Sequence, residues 1–340
     1  MSKTNGSIRC FTSKDAPKDA LRGERVVVLG YGNLGRTFAL NLRDSIADPP
    51  VIGNIEDSYA KQAREEGFTV KPIAEAVANG DVILVLLPDE VIPEVFATDI
   101  GPHLAPKSAI LFGSGYPLAY NQISVPSGID VLMLAPRMAG ETARQRFVEK
   151  RGFYAFVSVE QDASGKAWKR LLGVADGTGI LRAGALELDA HREAYLDLLV
   201  EQTMGAVLGM SMMAAFNLGV ESGLPPESLV LEMYMSEEME MVFRAFREKG
   251  FFTASSVHGP TALFGGYLRT MEFMDSNLVD MFRHTYEEIC NGEFERKFEA
   301  ERKAGYPALK MAEAYQSEEN PQGQAEVRLR ALLAGQSSRT

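Results

Sequence analysis

Three acids in the second half of the chain have the spacing of a chemical site. Asp197 and Glu201 stand four residues apart in Leu196-Asp197-Leu198-Leu199-Val200-Glu201, and Glu232 follows in a second apolar stretch. Positions i and i+4 of a helix share a face, so Asp197 and Glu201 can aim two carboxylates at one point. An ionised carboxylate inside so apolar a run is costly unless a cation or a donor meets it. The alternative is that both acids lie on the wet edge of their helix. The stretch from Asp197 to Gly250 reads as two helices, the first carrying Asp197 and Glu201, the second Glu232.

A second constellation lies near the N-terminus. The run Arg25-Val26-Val27-Val28-Leu29 reads as a strand, Gly30-Tyr31-Gly32-Asn33-Leu34-Gly35 as a tight turn, and Arg36–Ser45 as a helix. Strand, glycine turn and helix in that order give the GxGxxG pattern its meaning. The first glycine allows the turn, the second admits a pyrophosphate and the third lets helix and strand pack closely. The helix N-terminus then offers unpaired N–H groups to the phosphates. Glu56 follows Gly35 by 21 residues, where an acid commonly accepts from the adenosine ribose. No Lys or Arg lies in Ile55-Glu56-Asp57-Ser58, and two acids would repel a 2′-phosphate, so NAD(H) is expected over NADP(H). Ser58 is the group in this loop that suits a phosphate.

Further βα units predict a parallel sheet. The strand Asp81–Leu87 ends at Leu87-Pro88-Asp89, the strand Ala109–Phe112 at Gly113-Ser114-Gly115, and the strand Val131–Ala135 at Pro136-Arg137. Ligands of open α/β sheets bind beyond such strand ends. Ser114 and Arg137 are therefore candidates, although each also reads as a turn residue or a surface charge.

Composition frames these sites. The chain has 340 residues, 46% of them hydrophobic, enough for two domains. Residues 1–23 read as a flexible tail, 24–185 as a dinucleotide-binding Rossmann domain, 186–325 as a helical domain and 326–340 as a polar tail. A net charge of −11 argues against nucleic acid as a partner. No run suggests a membrane span or a signal-peptide core. Two cysteines, Cys10 and Cys290, give no disulfide framework, so a reducing cytoplasm is expected. Met-rich segments around Met204–Met213 and Met233–Met241 read as filling for a core or a helical dimer interface. Phe251-Phe252 reads as core packing, and Trp168 as part of a helix with no role assigned.

Taken together the motifs resemble ketol-acid reductoisomerase of the short class. The similar stretches are GYGNLGRTFALNLRDS (30–45), LLPDEV (86–91), LAPRMAGETAR (134–144), QDASG (161–165), RAG (182–184) and DLLVEQ (197–202). The resemblance implies a Rossmann domain followed by an all-α, knotted C-terminal domain, in a homodimer. It also implies Mg²⁺ (or Mn²⁺) held by carboxylates from two subunits. The family's metal ligands fall on Asp197, Glu201 and Glu232, and hard cations do favour such oxygens.

Four positions depart from that pattern. The family's fourth acid falls on Ser236, its active-site His on Ser114, its catalytic Lys on Arg137 and its substrate Ser near Gly259, with His258 beside it. Arg137 keeps a charge but does not release a proton at ordinary pH. These departures point to a redirected enzyme acting on a small polar hydroxy- or keto-acid. The resemblance extends to the cyclopropanol-forming homologue of the malleicyprol pathway, which implies a redox-neutral rearrangement or ring closure. Alternatives are an NAD-dependent hydroxy-acid dehydrogenase, an ordinary acetolactate isomeroreductase and a non-catalytic cofactor-bound dimer.

Overall fold

In the computed structural model, which describes residues 8–138, 140–255, 259–315 and 320–337, the β-branched runs of the first half form the centre of one sheet. Its strands are β1 (Cys10–Phe11), β2 (Val26–Leu29), β3 (Val51–Gly53), β4 (Val70–Lys71) and β5 (Val82–Val85), then β6 (Ala109–Phe112), β7 (Asp130–Pro136), β8 (Ala155–Gln161) and β9 (Ala185–Glu187). They lie in the order β1-β9-β8-β7-β6-β5-β2-β3-β4. From β4 to β7 neighbouring strands are parallel, whereas β8 runs antiparallel to β7 and β1 antiparallel to β9. Counted from β2, the parallel part has the order of two mononucleotide-binding halves, reversing direction between β2 and β5. At that reversal the connections leave in opposite directions and open a crevice.

The connecting helices are α1 (Asn33–Arg43), α2 (Ser58–Glu65), α3 (Ile73–Ala78), α4 (Ile92–Val95), α5 (Tyr116–Ala119), α6 (Gly140–Val148), α7 (Ala167–Gly177) and α8 (Ala190–Val200). Because helices cover both faces, β2, β5 and β6 are buried along their whole length, and their sequences read as continuous apolar runs. Strand alternation divides them between two cores. Val26, Val28, Leu84 and Leu111 pack with Phe38 and Leu171 on one face. Val27, Leu29, Ile83 and Ile110 pack with Val77 and Phe96 on the other.

The QDASG stretch is a clamp on β7. Buried Asp130 accepts from the amides of Ala163 and Ser164 (both 2.8 Å) and pairs with Arg170 at 3.0 Å. Arg170 also reaches Glu24.

The N-terminal segment corrects the expectation of a flexible tail up to residue 23. Within its described part, β1 caps the sheet edge, Phe11, Ala20 and Leu21 are buried, and Phe11 packs on Trp168 with ring centroids 5.0 Å apart. The segment was misread because its few apolar residues lie too far apart to show periodicity.

The chain divides into two compact units, Met1–Leu196 and Asp197–Thr340. The second is helical: α9 (Ala206–Glu221), α10 (Pro226–Val230), α11 (Glu238–Lys249), α12 (Phe251–Ser255), α13 (Pro260–Met274), α14 (Leu278–Cys290), α15 (Glu293–Lys303), α16 (Pro307–Tyr315) and α17 (Pro321–Ser337). Up to residue 337 the segment expected to be a polar tail from 326 is part of α17. Ala325 and Leu329 of α17 are buried with Phe216 and Val230, and the Tyr234 hydroxyl donates to Glu326 at 2.7 Å.

This unit leaves much apolar surface open, including Met204, Met210, Met213, Leu218, Phe252 and Phe264. Met233 and Met235 pack against the cluster around Phe216 and Val230, whereas Met204, Met210 and Met213 do not fill the core of a single chain. Phe251 and Phe252 are exposed, although Phe251 makes ring contacts with Phe246 and Phe252. One run, Ala190–Glu221, is long and apolar enough to cross a membrane by length and composition (mean hydropathy 1.4), contrary to expectation. Its internal acids Glu193, Asp197 and Glu201 break the run as read from the sequence and would be costly in a bilayer.

Candidate functional site

The crevice at the sheet reversal is built from the glycine turn upward. Gly30 sits at φ +87°, a conformation few side chains tolerate, and a Cβ there would lie 2.7 Å from the Leu86 carbonyl. A Cβ at Gly35 would lie 2.1 Å from the Gly30 carbonyl, so only glycine lets α1 start this close to β2. At Gly32 a Cβ would meet nothing within 4 Å, which leaves the turn's amide face approachable. The turn opens on a cavity of about 570 Å³. Gly30, Tyr31, Gly32, Asn33 and Leu34 line one end of it, and Leu87, Pro88, Asp89, Gly113 and Ser114 line strand ends. The volume suits a dinucleotide-sized ligand.

Tyr31 is braced from behind. Its hydroxyl donates to Glu66 at 2.5 Å, and Arg36 pairs with the same carboxylate at 2.6 Å. The Arg36 guanidinium holds Glu66 below the usual carboxylate range, while burial and Glu66 push the Tyr31 hydroxyl up.

At the carboxyl end of β3 the two neighbouring acids divide their roles. Glu56 is exposed, does not line the cavity and forms a two-pronged ion pair with Arg64 of α2. Asp57 does line the cavity. It caps α2 by accepting from the Ala60 amide (2.8 Å) and is held by Asn54 Nδ2 (2.9 Å). Glu56 is thus corrected as the ribose-facing acid, because the loop turns at Asp57, where α2 begins. Ser58, exposed at the first position of α2, also lies outside the cavity lining. Ile55, Tyr59 and Val91 form part of the lining and were not singled out from the sequence.

Beyond β5, β6 and β7 lies a polar chain. Ser114 Oγ donates to Asp89 Oδ1 at 2.9 Å. The Gly115 amide donates to Glu193 at 2.7 Å, and Arg137 Nη2 pairs with the same carboxylate at 2.6 Å. Gly115 therefore acts through Glu193 and not as cavity lining; a Cβ there would lie 2.0 Å from the Ala190 carbonyl. Glu193 is 1% exposed, and the Arg137 guanidinium also lies over Phe156 at 5.2 Å. Glu193 was missed in the sequence, although it precedes Asp197 by four residues, the same spacing that singled out Glu201.

In the helical unit Glu201 and Glu232 share an unusual placement. Both lie in the opening positions of a five-residue π-helical turn, Glu201 first in Glu201–Gly205 and Glu232 second in Leu231–Met235. Such turns are rare and often mark functional positions. Asp197 is half-buried, whereas Glu201 and Glu232 are exposed in the single chain, which corrects the buried setting expected for them. The second helix is also interrupted: it stops at Met235, Ser236 is exposed, and Glu237 takes a left-handed φ of +66° before α11. Ser236 therefore does not continue the helical register of Glu232. Among the described residues no three His, Cys, Asp or Glu side chains converge on a metal position. Gly259 caps α13, and His258 lies outside the described residues.

Comparison with known proteins decides the family. Residues 20–184 match the acetohydroxy acid isomeroreductase NADPH-binding domain, and residues 191–334 match the ketol-acid reductoisomerase C-terminal domain. The chain belongs to the ketol-acid reductoisomerase family. It is 33% identical over 330 residues to the ketol-acid reductoisomerase (NADP(+)) of Pyrobaculum neutrophilum, covering 96% of this chain and 99% of the relative. It is 34% identical over 303 residues to the ketol-acid reductoisomerase (NAD(P)(+)) of Metallosphaera sedula, covering 88% and 90%. The solved structure of an NADH-preferring ketol-acid reductoisomerase from an uncultured archean superposes with a TM-score of 0.88 at 30% identity, over 95% of this chain and 99% of that one.

As a ketol-acid reductoisomerase family member, the chain is an enzyme of the isomeroreductase type. Its cradle of glycines and the adjoining cavity fit a nicotinamide dinucleotide. For a divalent ion the donor chemistry of Asp197, Glu201 and Glu232 is suitable, but one chain does not bring the three together.

Proposed function

We propose that this family member uses NAD(H) and a divalent cation to rearrange or ring-close a small polar hydroxy- or keto-acid, with no net redox change, and that acetolactate is not its substrate. Formation of a cyclopropanol is one such reaction. A carbinol would give up hydride to become a ketone, and the deprotonated carbon beside it would close the ring by displacing a leaving group from the substrate. Return of the hydride would restore the alcohol. The observation that carries this reading is the ion pair between Arg137 and buried Glu193. A guanidinium fixed in this way offers a permanent charge to a substrate carboxylate or oxyanion and does not pass protons. Proton handling then falls to Ser114, which is already hydrogen-bonded to Asp89. A substrate hydroxyl proton would go to the Ser114 oxygen as the serine's own proton moves to Asp89, and return by the reverse path. The bound dinucleotide supplies hydride acceptance and return. NAD(H) is favoured over NADP(H) because Asp57, in the cavity lining, would repel a 2′-phosphate.

The many exposed large apolar side chains of Asp197–Thr340 support a homodimer, since a helical unit with so few buried apolar residues of its own gains by covering them with a second copy. In such a dimer Asp197, Glu201 and Glu232 would meet carboxylates of the second copy around Mg²⁺ or Mn²⁺. The two cysteines are not joined to each other, which suits a reducing cytoplasm.

The test is an assay with 2-acetolactate and Mg²⁺, run separately with NADH and NADPH. The expected result is no steady oxidation of either cofactor while NADH binds. Steady oxidation would overturn the proposal in favour of an ordinary branched-chain isomeroreductase. Stoichiometric NADH formation from simple hydroxy acids would instead favour a plain dehydrogenase.

A further inference from the structure

Resting on the dinucleotide reading above, we infer that Asp57 alone meets the adenosine ribose, and that Glu56 works outside the cavity as a latch withholding Arg64 from a 2′-phosphate. The two acids are neighbours, yet their surroundings differ in kind. Asp57 lines the cavity together with Ile55 and Tyr59. Its two hydrogen bonds, from Asn54 Nδ2 and the Ala60 amide, both fall on Oδ1, so the carboxylate is fixed in angle while neither bond engages Oδ2. A carboxylate held in this way is prepared to accept from vicinal hydroxyls.

Glu56 is turned to Arg64, with both guanidinium prongs on the one carboxylate. Arg64 stands in the last turn of α2 but reaches back past the helix start to do this. Its guanidinium thus lies beside the loop where a 2′-phosphate would sit, already occupied by an anion of its own chain. Arginine is the residue best shaped for a phosphate, binding it with two parallel N–H donors. The sequence at 55–58 contains no cation, but the fold brings one there and neutralises it. Selectivity then depends on two separable parts, an acid that reads the ribose and an ion pair that keeps the phosphate-binding group engaged.

The experiment measures the Kd of NADH and NADPH for the full chain by cofactor fluorescence, with the variants D57N, E56Q and E56Q/R64A. Asn caps helices as well as Asp, so D57N keeps the cap and removes the charge. D57N is expected to weaken NADH roughly tenfold, the scale of one lost hydrogen bond to a charged group. E56Q is expected to leave NADH within about threefold and to tighten NADPH roughly tenfold, as Arg64 becomes available to the phosphate. Adding R64A should remove that gain. The inference is overturned if D57N binds NADH like the parent, if E56Q weakens NADH as much as D57N does, or if the E56Q gain survives without Arg64. Should the parent bind neither dinucleotide, the underlying reading of the cavity falls instead. E56Q alters an exposed surface pair, so its result stands even if D57N fails to fold.

Discussion

The two units of this chain solve the problem of apolar surface differently. Met1–Leu196 closes its own core, with two clusters of buried residues on the two faces of one sheet. Asp197–Thr340 has a small internal cluster around Phe216 and Val230, while methionines, leucines and phenylalanines stand open on its helices. Alternating strands under covering helices can bury both faces with one chain. Helices such as α9, apolar nearly all round, need neighbours on every side, and a single chain does not supply them. The contrast separates the two units: the first offers fixed backbone geometry to a dinucleotide, and the second leaves apolar helix faces open, the surface on which the proposed dimer would form.

The largest effect expected is on the open face. Replacing Met210 and Met213, the first 54% exposed, by Glu should convert the protein to monomers in sedimentation. It should also lower the Tm by roughly 10 °C or more in a concentration-dependent manner. If sedimentation and melting stay unchanged, the face is not an interface and the contrast between the units collapses. Gly35→Ala should strike the first unit alone. Its new Cβ meets the Gly30 carbonyl, and NADH affinity should fall by up to roughly a hundredfold, read by titration, with the oligomeric state retained.

Glu193→Gln comes next. It removes the charge partner of Arg137 while keeping shape, and should cost about 2 kcal/mol in urea unfolding, independent of protein concentration. A smaller effect concerns pH. Arg36 depresses Glu66, and Arg25 depresses Asp81, below ordinary carboxylate values. Both acids therefore stabilise the fold fully above the unfolded carboxylate range near pH 4, and that stability is lost as pH falls through the lower folded values. Urea midpoints for the parent should fall between pH 5 and pH 3, and Glu66→Gln should make the slope shallower. An unchanged slope would mean the pairs contribute nothing.

Much of the first unit was legible because its signals are local. Gly30, Gly32 and Gly35 carry a turn whose flanking strand and helix lie within a few residues, and the strands at 82–85 and 109–112 are unbroken apolar runs. The division between Glu56 and Asp57 was not legible. Which acid faces the cavity depends on where α2 begins, and the latch depends on an arginine eight residues away. Glu193 was hidden for the opposite reason: it resembles any helical glutamate until the fold brings Arg137 and the Gly115 amide to it. In the second unit the apolarity was read correctly but its destination was not. A hydrophobic run states that something must cover it, not whether that cover comes from the same chain. The break at Glu237 escaped because no glycine or proline marks it.

One feature of the sheet edge has an optical consequence. The only tryptophan, Trp168, has Phe11 of β1 against its ring and the Arg9 guanidinium 5.1 Å from its centroid. Its emission is therefore a native reporter for docking of the N-terminal strand, obtained without a label. Far-ultraviolet dichroism is weighted toward the helices of the other unit. Recorded together during denaturation, the two signals give each half of the molecule its own melting curve.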